Sequence, residues 1–234
     1  MTEPAAAGAG AAVLLEETKA LFLEAILDGD RASAVRVALR ALEAGADIGD
    51  VYVDVLQESL YEVGRLWEAN KISVAREHLA TSISQFVVGQ LYERLPRSTA
   101  VRGRLLLTGI EGEMHQVGGN MVADILEADG WTVRFLGSNV PGPDILDAVE
   151  DHKPDVLGIS CTMLQNIPHV ASLVGSVRER YGDRAPLVVL GGCAFRESPD
   201  SVAELGADGW APDLRAAVIL LRGLQPRGGR KEAV

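Results

Sequence analysis

The sequence has few aromatic residues, two cysteines and no apolar run long enough to cross a membrane. Aromatic residues make up 5% of its 234 residues. Both cysteines, Cys161 and Cys193, lie in apolar, strand-like segments, so we expect buried free thiols rather than a disulfide framework. Two cysteines cannot complete a zinc or iron–sulfur site without other ligands nearby. The N-terminus lacks the basic region of a signal peptide, so we expect a cytoplasmic protein without a membrane partner.

Positive charge is also scarce. Lysine and arginine total 22 against 33 acidic residues, which gives a net charge of -11 at pH 7. A chain this acidic has no overall field that would hold nucleic acid, so we expect no direct DNA binding. The glycine-rich fingerprints of dinucleotide and P-loop sites are absent as well. The overall composition, 47% hydrophobic and 24% charged, is typical of a folded globular chain.

Helical periodicity dominates the first part of the chain. Residues 1–11 are small and rich in alanine and glycine, and we expect them to be disordered. Residues 12–95 then predict a four-helix bundle, because four amphipathic segments follow one another through short turns. These helices are predicted at 12–27, 32–44, 51–69 and 74–95. Asp30 and Ser73 are suitable caps for the second and fourth helices.

After a polar linker at 96–103, strands alternate with helices. This rhythm over 104–225 predicts a flavodoxin-like, doubly wound α/β domain with a parallel five-stranded sheet, followed by a flexible tail at 226–234. The strands are predicted at 104–109, 132–136, 156–160, 187–190 and 209–210. The helices are predicted at 116–129, 143–151, 165–181, 198–205 and 214–223.

One histidine stands on a loop just beyond a predicted strand end. Ligands of open α/β sheets bind beside such loops. Glu113, two residues before His115, can accept a proton from one imidazole nitrogen and so make the other nitrogen a better metal ligand. Gly118 leaves the nearby backbone open to a bulky group. A lone histidine is more often an ordinary surface or core residue, but its loop position, its carboxylate partner and the glycines favour a metal ligand.

Three further loops follow strand ends at the same edge of the predicted sheet. They are residues 137–141, 160–164 and 191–194. Together they offer hydroxyl groups and bare backbone that could line a slot for a ligand.

In order, these segments contain Glu113-x-His115-x-x-Gly118, Ser160-x-Thr162 and Gly191-Gly192. This pattern resembles the B12-binding domain of methionine synthase and related corrinoid proteins, in which the first position is usually aspartate. The resemblance implies cobalamin bound base-off, with a histidine as the lower cobalt ligand.

The resemblance also implies a role for each motif position. His115 would bind cobalt and Glu113 would orient it. Ser160 would hydrogen-bond the displaced base, and the glycines would allow its close approach. The whole predicted cofactor contact set in this domain is Glu113, His115, Gln116, Val117, Gly118, Ser160, Thr162, Leu164, Gly191 and Gly192.

A second resemblance lies in the helical part. Nine residues separate Trp67 from the pair Glu77-His78, which is similar to the Trp-x9-Glu-His signature of CarH-type B12 photoreceptors. That family uses the tryptophan and the Glu-His pair to cover the upper face of adenosylcobalamin. The sequence departs from it in starting at the bundle, without a DNA-binding domain, and in having Glu68 where a histidine can follow the tryptophan. The alternative is that Trp67 belongs to the bundle core and Glu77-His78 to the surface.

Three functions remain open. The first, which Trp67 and Glu77-His78 favour, is a stand-alone light sensor in which photolysis of adenosylcobalamin changes self-association, as a dimer, or binding to a regulatory protein. Such a sensor is not an enzyme, and we assign no catalytic residue. Some photosensory relatives also hold a bilin, for which the sequence offers no clear site.

The second possible function is that of a corrinoid carrier subunit of a methyltransferase system. The third is a module for another ligand of this fold, such as a flavin, against which His115 argues.

Overall fold

The chain divides into two compact units, Met1–Leu95 and Pro96–Val234. The computed structural model describes residues 4–197 and 201–224. The predicted tail at 226–234 lies outside the described residues, as do residues 198–200 of one predicted helix. No helix in the described ranges combines the length and apolarity that a membrane span requires.

The described part of the first unit, residues 4–95, consists of helices joined by short turns. Its α-helices are α1 Pro4–Asp28, α2 Arg31–Glu43, α3 Ile48–Asp50, α4 Glu58–Glu68 and α5 Val74–Leu91. Helix α1 begins at Pro4, so the expectation of disorder was wrong for residues 4–11, where alanine has the highest intrinsic helix propensity and extends the helix backwards. Asp30 and Ser73 cap α2 and α5 as predicted, since each side chain accepts a backbone N–H three residues later.

The predicted helix at 51–69 differs in its winding. A π-helical segment, Val51–Gln57, joins α3 to α4. It is almost wholly buried, and Tyr52 at its second position donates a hydrogen bond of 3.4 Å to the carbonyl of Val88 in α5. The wider turn therefore lies inside the bundle rather than on its surface. The predicted fourth helix also ends earlier, at Leu91, and continues as a 3-10 turn, Tyr92–Arg94.

The second unit has the predicted parallel sheet. Its strands are β1 Gly103–Gly109, β2 Trp131–Phe135, β3 Val156–Ser160, β4 Leu187–Gly191 and β5 Gly209–Ala211. Their order is β2-β1-β3-β4-β5, and every neighbouring pair is parallel. This is the flavodoxin-like order, so the predicted fold class is confirmed.

Helices cover this sheet on both faces. They are α6 Val117–Ala128, α7 Gly142–His152, α8 Ile167–Tyr181, α9 Cys193–Glu197, α10 Ser201–Glu204 and α11 Leu214–Gly223. Successive strand residues point to opposite faces, and both faces are apolar: Leu106 and Leu157 belong to one buried cluster, Leu105 and Val156 to the other. This explains why the strands read as continuous apolar runs rather than as alternating patterns.

The register of the sheet aligns the strand ends that precede the predicted loops. Gly109 of β1 is paired with Ser160 of β3, and Ser160 is paired in turn with Gly191 of β4. Because the strands are parallel, these three carboxyl ends form one row at one edge of the sheet. The loops that carry the three sequence motifs therefore begin side by side.

The turn between α6 and β2 lies close against the backbone of Ala100. Gly130 has φ +101°, and a Cβ atom there would lie 2.0 Å from the carbonyl oxygen of Ala100. We expect Gly130→Ala to lower the free energy of unfolding by roughly 3 kcal/mol or more, because the left-handed backbone alone costs an L-residue about 1–2 kcal/mol and the clash adds to it. Urea denaturation followed by circular dichroism measures the change.

Gly175→Ala is the matched control. Gly175 lies inside α8, and a Cβ there would meet nothing within 4 Å. We expect this variant to be more stable by about 0.5–1 kcal/mol, because alanine loses less backbone entropy in a helix. Equal stability of the two variants would contradict the assignment of Gly130 to a backbone contact that excludes Cβ.

Candidate functional site

The loop between β1 and α6 begins with a tight turn. The amide of Glu113 donates a hydrogen bond of 3.0 Å to the carbonyl of Ile110. Gly112, inside this turn, has φ +82°, a conformation that glycine adopts without strain. The turn sends Glu113 into the protein and leaves Met114 and His115 exposed.

The side chain of Glu113 is completely buried, with 0% exposure. Its Oε1 accepts hydrogen bonds from Nδ1 and from the backbone N–H of His115, the latter at 3.0 Å. Its Oε2 accepts the backbone N–H groups of Thr162 at 2.6 Å and Met163 at 3.2 Å. One carboxylate therefore ties the histidine to the loop that follows β3.

These contacts keep Glu113 ionised. Burial by itself raises the pKa of a carboxyl group, but hydrogen bonds from the His115 ring and from the backbone amides of Thr162 and His115, together with the histidine's charge, lower the pKa of Glu113 to about 2. The carboxylate is therefore an acceptor at neutral pH, and Nδ1 of His115 must carry the proton that it donates.

This arrangement leaves Nε2 as the nitrogen of His115 that can bind a metal. The side chain of His115 is 56% exposed, so the ring extends out of the loop rather than into the core. A histidine whose Nδ1–H is bonded to a carboxylate is oriented and more basic at Nε2. One histidine supplies a single ligand, which suits a metal whose other positions are already held by a macrocycle.

The predicted neighbours of His115 lie around it as follows. Gln116 is the half-buried N-cap of α6, Val117 is buried, and Gly118 is exposed. A Cβ at Gly118 would meet nothing within 4 Å, so the space above the first turn of α6 is open. Met114, which precedes His115 on the same loop, is 72% exposed, and Leu164, on the loop after β3, is 48% exposed. The ring of His115 thus shares its edge of the sheet with open apolar surface.

Different constraints act on the two glycines at the end of β4, Gly191 and Gly192. A Cβ at Gly192 would lie 2.2 Å from the carbonyl oxygen of Cys161, and its φ is +107°. A Cβ at Gly191 would only touch the carbonyl of Ala211, at 3.8 Å. Both glycines were predicted to allow the close approach of a cofactor, but the protein's own backbone already requires glycine at position 192.

Both cysteines lie close to this backbone contact. Cys161 is fully buried, and burial, with the nearby Glu113 charge, raises its pKa to about 12. Cys193 is only half-buried, so the expectation of two buried thiols was wrong for Cys193, which begins α9 beyond the sheet edge.

Polar residues that the sequence analysis did not single out also lie at this edge. Asn139 accepts the backbone N–H of Gly112 through Oδ1 at 2.9 Å. The buried Nδ2 of Asn166 and the buried Oγ of Ser138 have no hydrogen-bond partner within the described ranges. Loops 137–141 and 160–164 were predicted to line a slot. No local pattern in the sequence indicates either the hydrogen bond from Gly112 to Asn139 or the unpartnered atoms of Ser138 and Asn166.

The helical unit contains the predicted residues Trp67, Glu77 and His78. Trp67 is 45% exposed at the end of α4, so its alternative reading as bundle core does not hold. In the first turns of α5, Glu77 accepts a hydrogen bond of 2.8 Å from Thr81 and contacts Nδ1 of His78 at 2.5 Å. The side chain of His78 is 74% exposed. This unit therefore presents an exposed indole and a carboxylate held by its own helix.

Comparison with known proteins identifies the family. A profile described as B12 binding domain matches residues 103–219. A second profile with the same description matches residues 19–92. The chain belongs to the B12-binding domain family. The predicted cobalamin-binding domain resemblance is thereby confirmed, and the helical unit is part of it.

Curated proteins that resemble the chain include corrinoid proteins. One from Desulfitobacterium hafniense is 23% identical over 88% of this chain and 95% of its own length. The trimethylamine corrinoid protein of Methanosarcina barkeri is 26% identical over 88% of this chain and 96% of its own length. These relatives give no support to a CarH-type photoreceptor, which stays a prediction.

A solved structure shows the same fold. The monomethylamine corrinoid protein of Methanosarcina barkeri superimposes with a TM-score of 0.80, covers 89% of this chain and 99% of its own, and is 22% identical. The order of the helical unit and the α/β unit along the chain is therefore shared with that corrinoid protein.

The described residues fit a corrinoid, as the family implies. His115 offers an exposed imidazole backed by a buried carboxylate, and Met114, Met163 and Leu164 are exposed apolar side chains on the same two loops. The unpartnered buried polar atoms of Ser138 and Asn166 flank these loops. A corrin ring is a broad, largely apolar macrocycle fringed with amides, so both kinds of surface suit it.

The buried carboxylate predicts a pH dependence of stability. Because the pKa of Glu113 falls from 4.5 to about 2 on folding, its ionisation stabilises the fold above about pH 4.5, and this contribution is lost as the pH falls towards 2. We expect Glu113→Gln to lower the free energy of unfolding by about 3 kcal/mol at neutral pH. The difference from wild type should shrink steadily below about pH 4.5, as measured by urea denaturation between about pH 7 and pH 3.

Glu111→Gln is the control for this experiment. Glu111 lies in the same loop but is exposed. Its variant should unfold like the wild type across this range. A Glu113→Gln variant that differed from wild type equally at neutral and acidic pH would contradict the role of the ionised carboxylate.

Proposed function

We propose that the protein binds a corrinoid base-off, with His115 as the lower cobalt ligand, and serves as the carrier subunit of a methyltransferase system. The observation that carries this proposal is the pairing of the exposed His115 ring with the fully buried Glu113. Support comes also from the relatives, whose names include methanol, dimethylamine and trimethylamine corrinoid proteins.

The chain's residues would hold the cofactor and fix the ligand. A bound cobalt would carry the methyl group between partner enzymes. Glu113 keeps the proton on Nδ1, so Nε2 of His115 presents a lone pair in one orientation. The backbone amides of Thr162 and Met163 hold the carboxylate in turn, so the ring direction depends on two loops at once. Ser160 and Gly191, paired at the adjacent strand ends, would receive the displaced base.

A light sensor holding adenosylcobalamin is the second candidate. The observation in its favour is the half-exposed Trp67, which offers a rigid apolar surface, together with Glu77, whose carboxylate is held by Thr81. Gln116, Val117, Gly118, Thr162, Leu164 and Gly192 would contact the cofactor in either candidate. Neither the described residues nor the relatives support a bilin site, so we do not propose one.

Replacing the proposed ligand tests cofactor binding. We expect His115→Ala to weaken hydroxocobalamin binding by more than about 100-fold, since loss of partners behind a ligand alone costs 10–100-fold in metal affinity. Equilibrium dialysis measures the affinity, and the absorption spectrum reports loss of the histidine ligand. His169→Ala, an exposed histidine of α8, should bind like the wild type. Unchanged affinity and spectrum in His115→Ala would instead favour another ligand of this fold.

Cofactor preference separates the carrier from the sensor. For a carrier, we expect tight binding of methylcobalamin that Trp67→Ala leaves unchanged, and no change of size in gel filtration after green light. For a sensor, adenosylcobalamin should bind more tightly than methylcobalamin. Trp67→Ala should weaken adenosylcobalamin binding by roughly tenfold, because a buried aromatic contact is lost. Light should also change the oligomeric state. Phe86→Ala, another exposed aromatic of the helical unit, is the control.

A further inference from the structure

Gly112 lies between two asparagine side chains. On one side its N–H donates to Oδ1 of Asn139, in the loop after β2, at 2.9 Å. On the other side Asn166, in the loop after β3, comes so close that a Cβ on Gly112 would lie 2.9 Å from its Oδ1. The loop after β2 thus holds the Glu111–Gly112 peptide, one residue before Glu113, and Asn166 leaves no room for a side chain on the other side of Gly112.

The loop that carries Asn139 is itself fixed to the end of β1. The amide of Gly109 donates to the carbonyl of Gly137 at 2.7 Å, and the amide of Val140 donates to the carbonyl of Gly109 at 3.3 Å. Asn139 has φ +57°, the left-handed conformation that asparagine tolerates better than most residues. Its amide oxygen therefore extends from a rigid anchor to the turn at Gly112.

We propose that Asn139 is a positioning residue of the corrinoid site, which sets the direction of the His115 ring through Gly112 and Glu113. The proposal rests on the function proposed above. The turn Ile110–Glu113 is closed by one backbone hydrogen bond of 3.0 Å, and the bond from Gly112 to Asn139 adds a second, from outside the turn. Without the bond to Asn139 the peptide at Gly112 can rotate. The Glu113 carboxylate would then no longer approach Nδ1–H of His115 from a fixed direction.

Two substitutions separate the hydrogen bond from the backbone conformation. Asn139→Gly keeps the left-handed backbone without strain and removes the acceptor. Asn139→Asp keeps an oxygen acceptor for Gly112 N–H and also tolerates this conformation. Lys153→Gly is the matched control, because Lys153 has φ +46° in the same unit but caps the end of α7, before β3.

The experiment uses the full chain, with hydroxocobalamin reduced to Co(II) as the probe. Electron paramagnetic resonance on protein carrying nitrogen-15 histidine reports the fraction of cobalt bound to a histidine nitrogen. We expect Asn139→Gly to shift the equilibrium between histidine-bound and histidine-free cobalt about fivefold towards the free form, since one hydrogen bond is lost. Asn139→Asp should restore it, and Lys153→Gly should match the wild type. Without cofactor, the Gly112 amide should exchange with solvent faster in Asn139→Gly alone.

The outcomes distinguish this inference from the proposed function. If wild-type protein binds cobalt without a histidine nitrogen, both fall. If the wild type shows the histidine and Asn139→Gly equals it, only the role of Asn139 is overturned. If Asn139→Asp behaves like Asn139→Gly, the acceptor oxygen is not what matters, and the inference is again overturned. Thermal melting of each variant checks that it is folded. If Asn139→Gly melts early, a wild-type electron paramagnetic resonance signal in Asn139→Asp would still support the inference.

Discussion

The site at the edge of the sheet depends on one buried negative charge. Glu113 has no exposed surface, yet it is ionised, because four hydrogen-bond donors converge on its two oxygens. Removing one hydrogen-bond partner would leave the buried carboxylate partly unsatisfied, and the remaining bonds would no longer offset the free energy of its desolvation in full. The carboxylate therefore keeps the loops after β1 and β3 together as firmly as it orients His115.

The length of this side chain matters to that arrangement. The chain has glutamate at the motif position where the resembled domain usually has aspartate. In the structure Oε1 serves the histidine, while Oε2 reaches the amides of Thr162 and Met163. Glutamate therefore completes the hydrogen bond to His115, and its second oxygen attaches the carboxylate to the neighbouring loop.

Much of this could be predicted because it is local in the chain. The alternation of apolar runs with amphipathic segments predicts the strands, and a parallel sheet brings their carboxyl ends to one edge, so the motifs at His115, Ser160 and Gly191 fall together. Contacts between distant segments could not be predicted. The bond from Gly112 to Asn139 joins residues 27 positions apart, and no periodicity reports it. The start of α1 was misjudged because alanine and glycine are also typical of disordered segments.

The prediction for the glycine pair left out the protein's own backbone for a related reason. Periodicity and spacing give the position of a glycine, but they do not tell whether ligand or backbone excludes a side chain there. At Gly192 the excluded space is filled by the carbonyl of Cys161, whereas at Gly191 the nearest protein atom leaves room.

These two glycines would therefore diverge differently among descendants of this chain. A lineage that abandoned its cofactor but kept its fold would retain glycine at position 192, because the turn after β4 still needs it. The same lineage would be free to accept alanine or serine at position 191. Under the proposed function, position 191, rather than the glycine pair as a whole, is thus the one whose drift would record loss of the ligand.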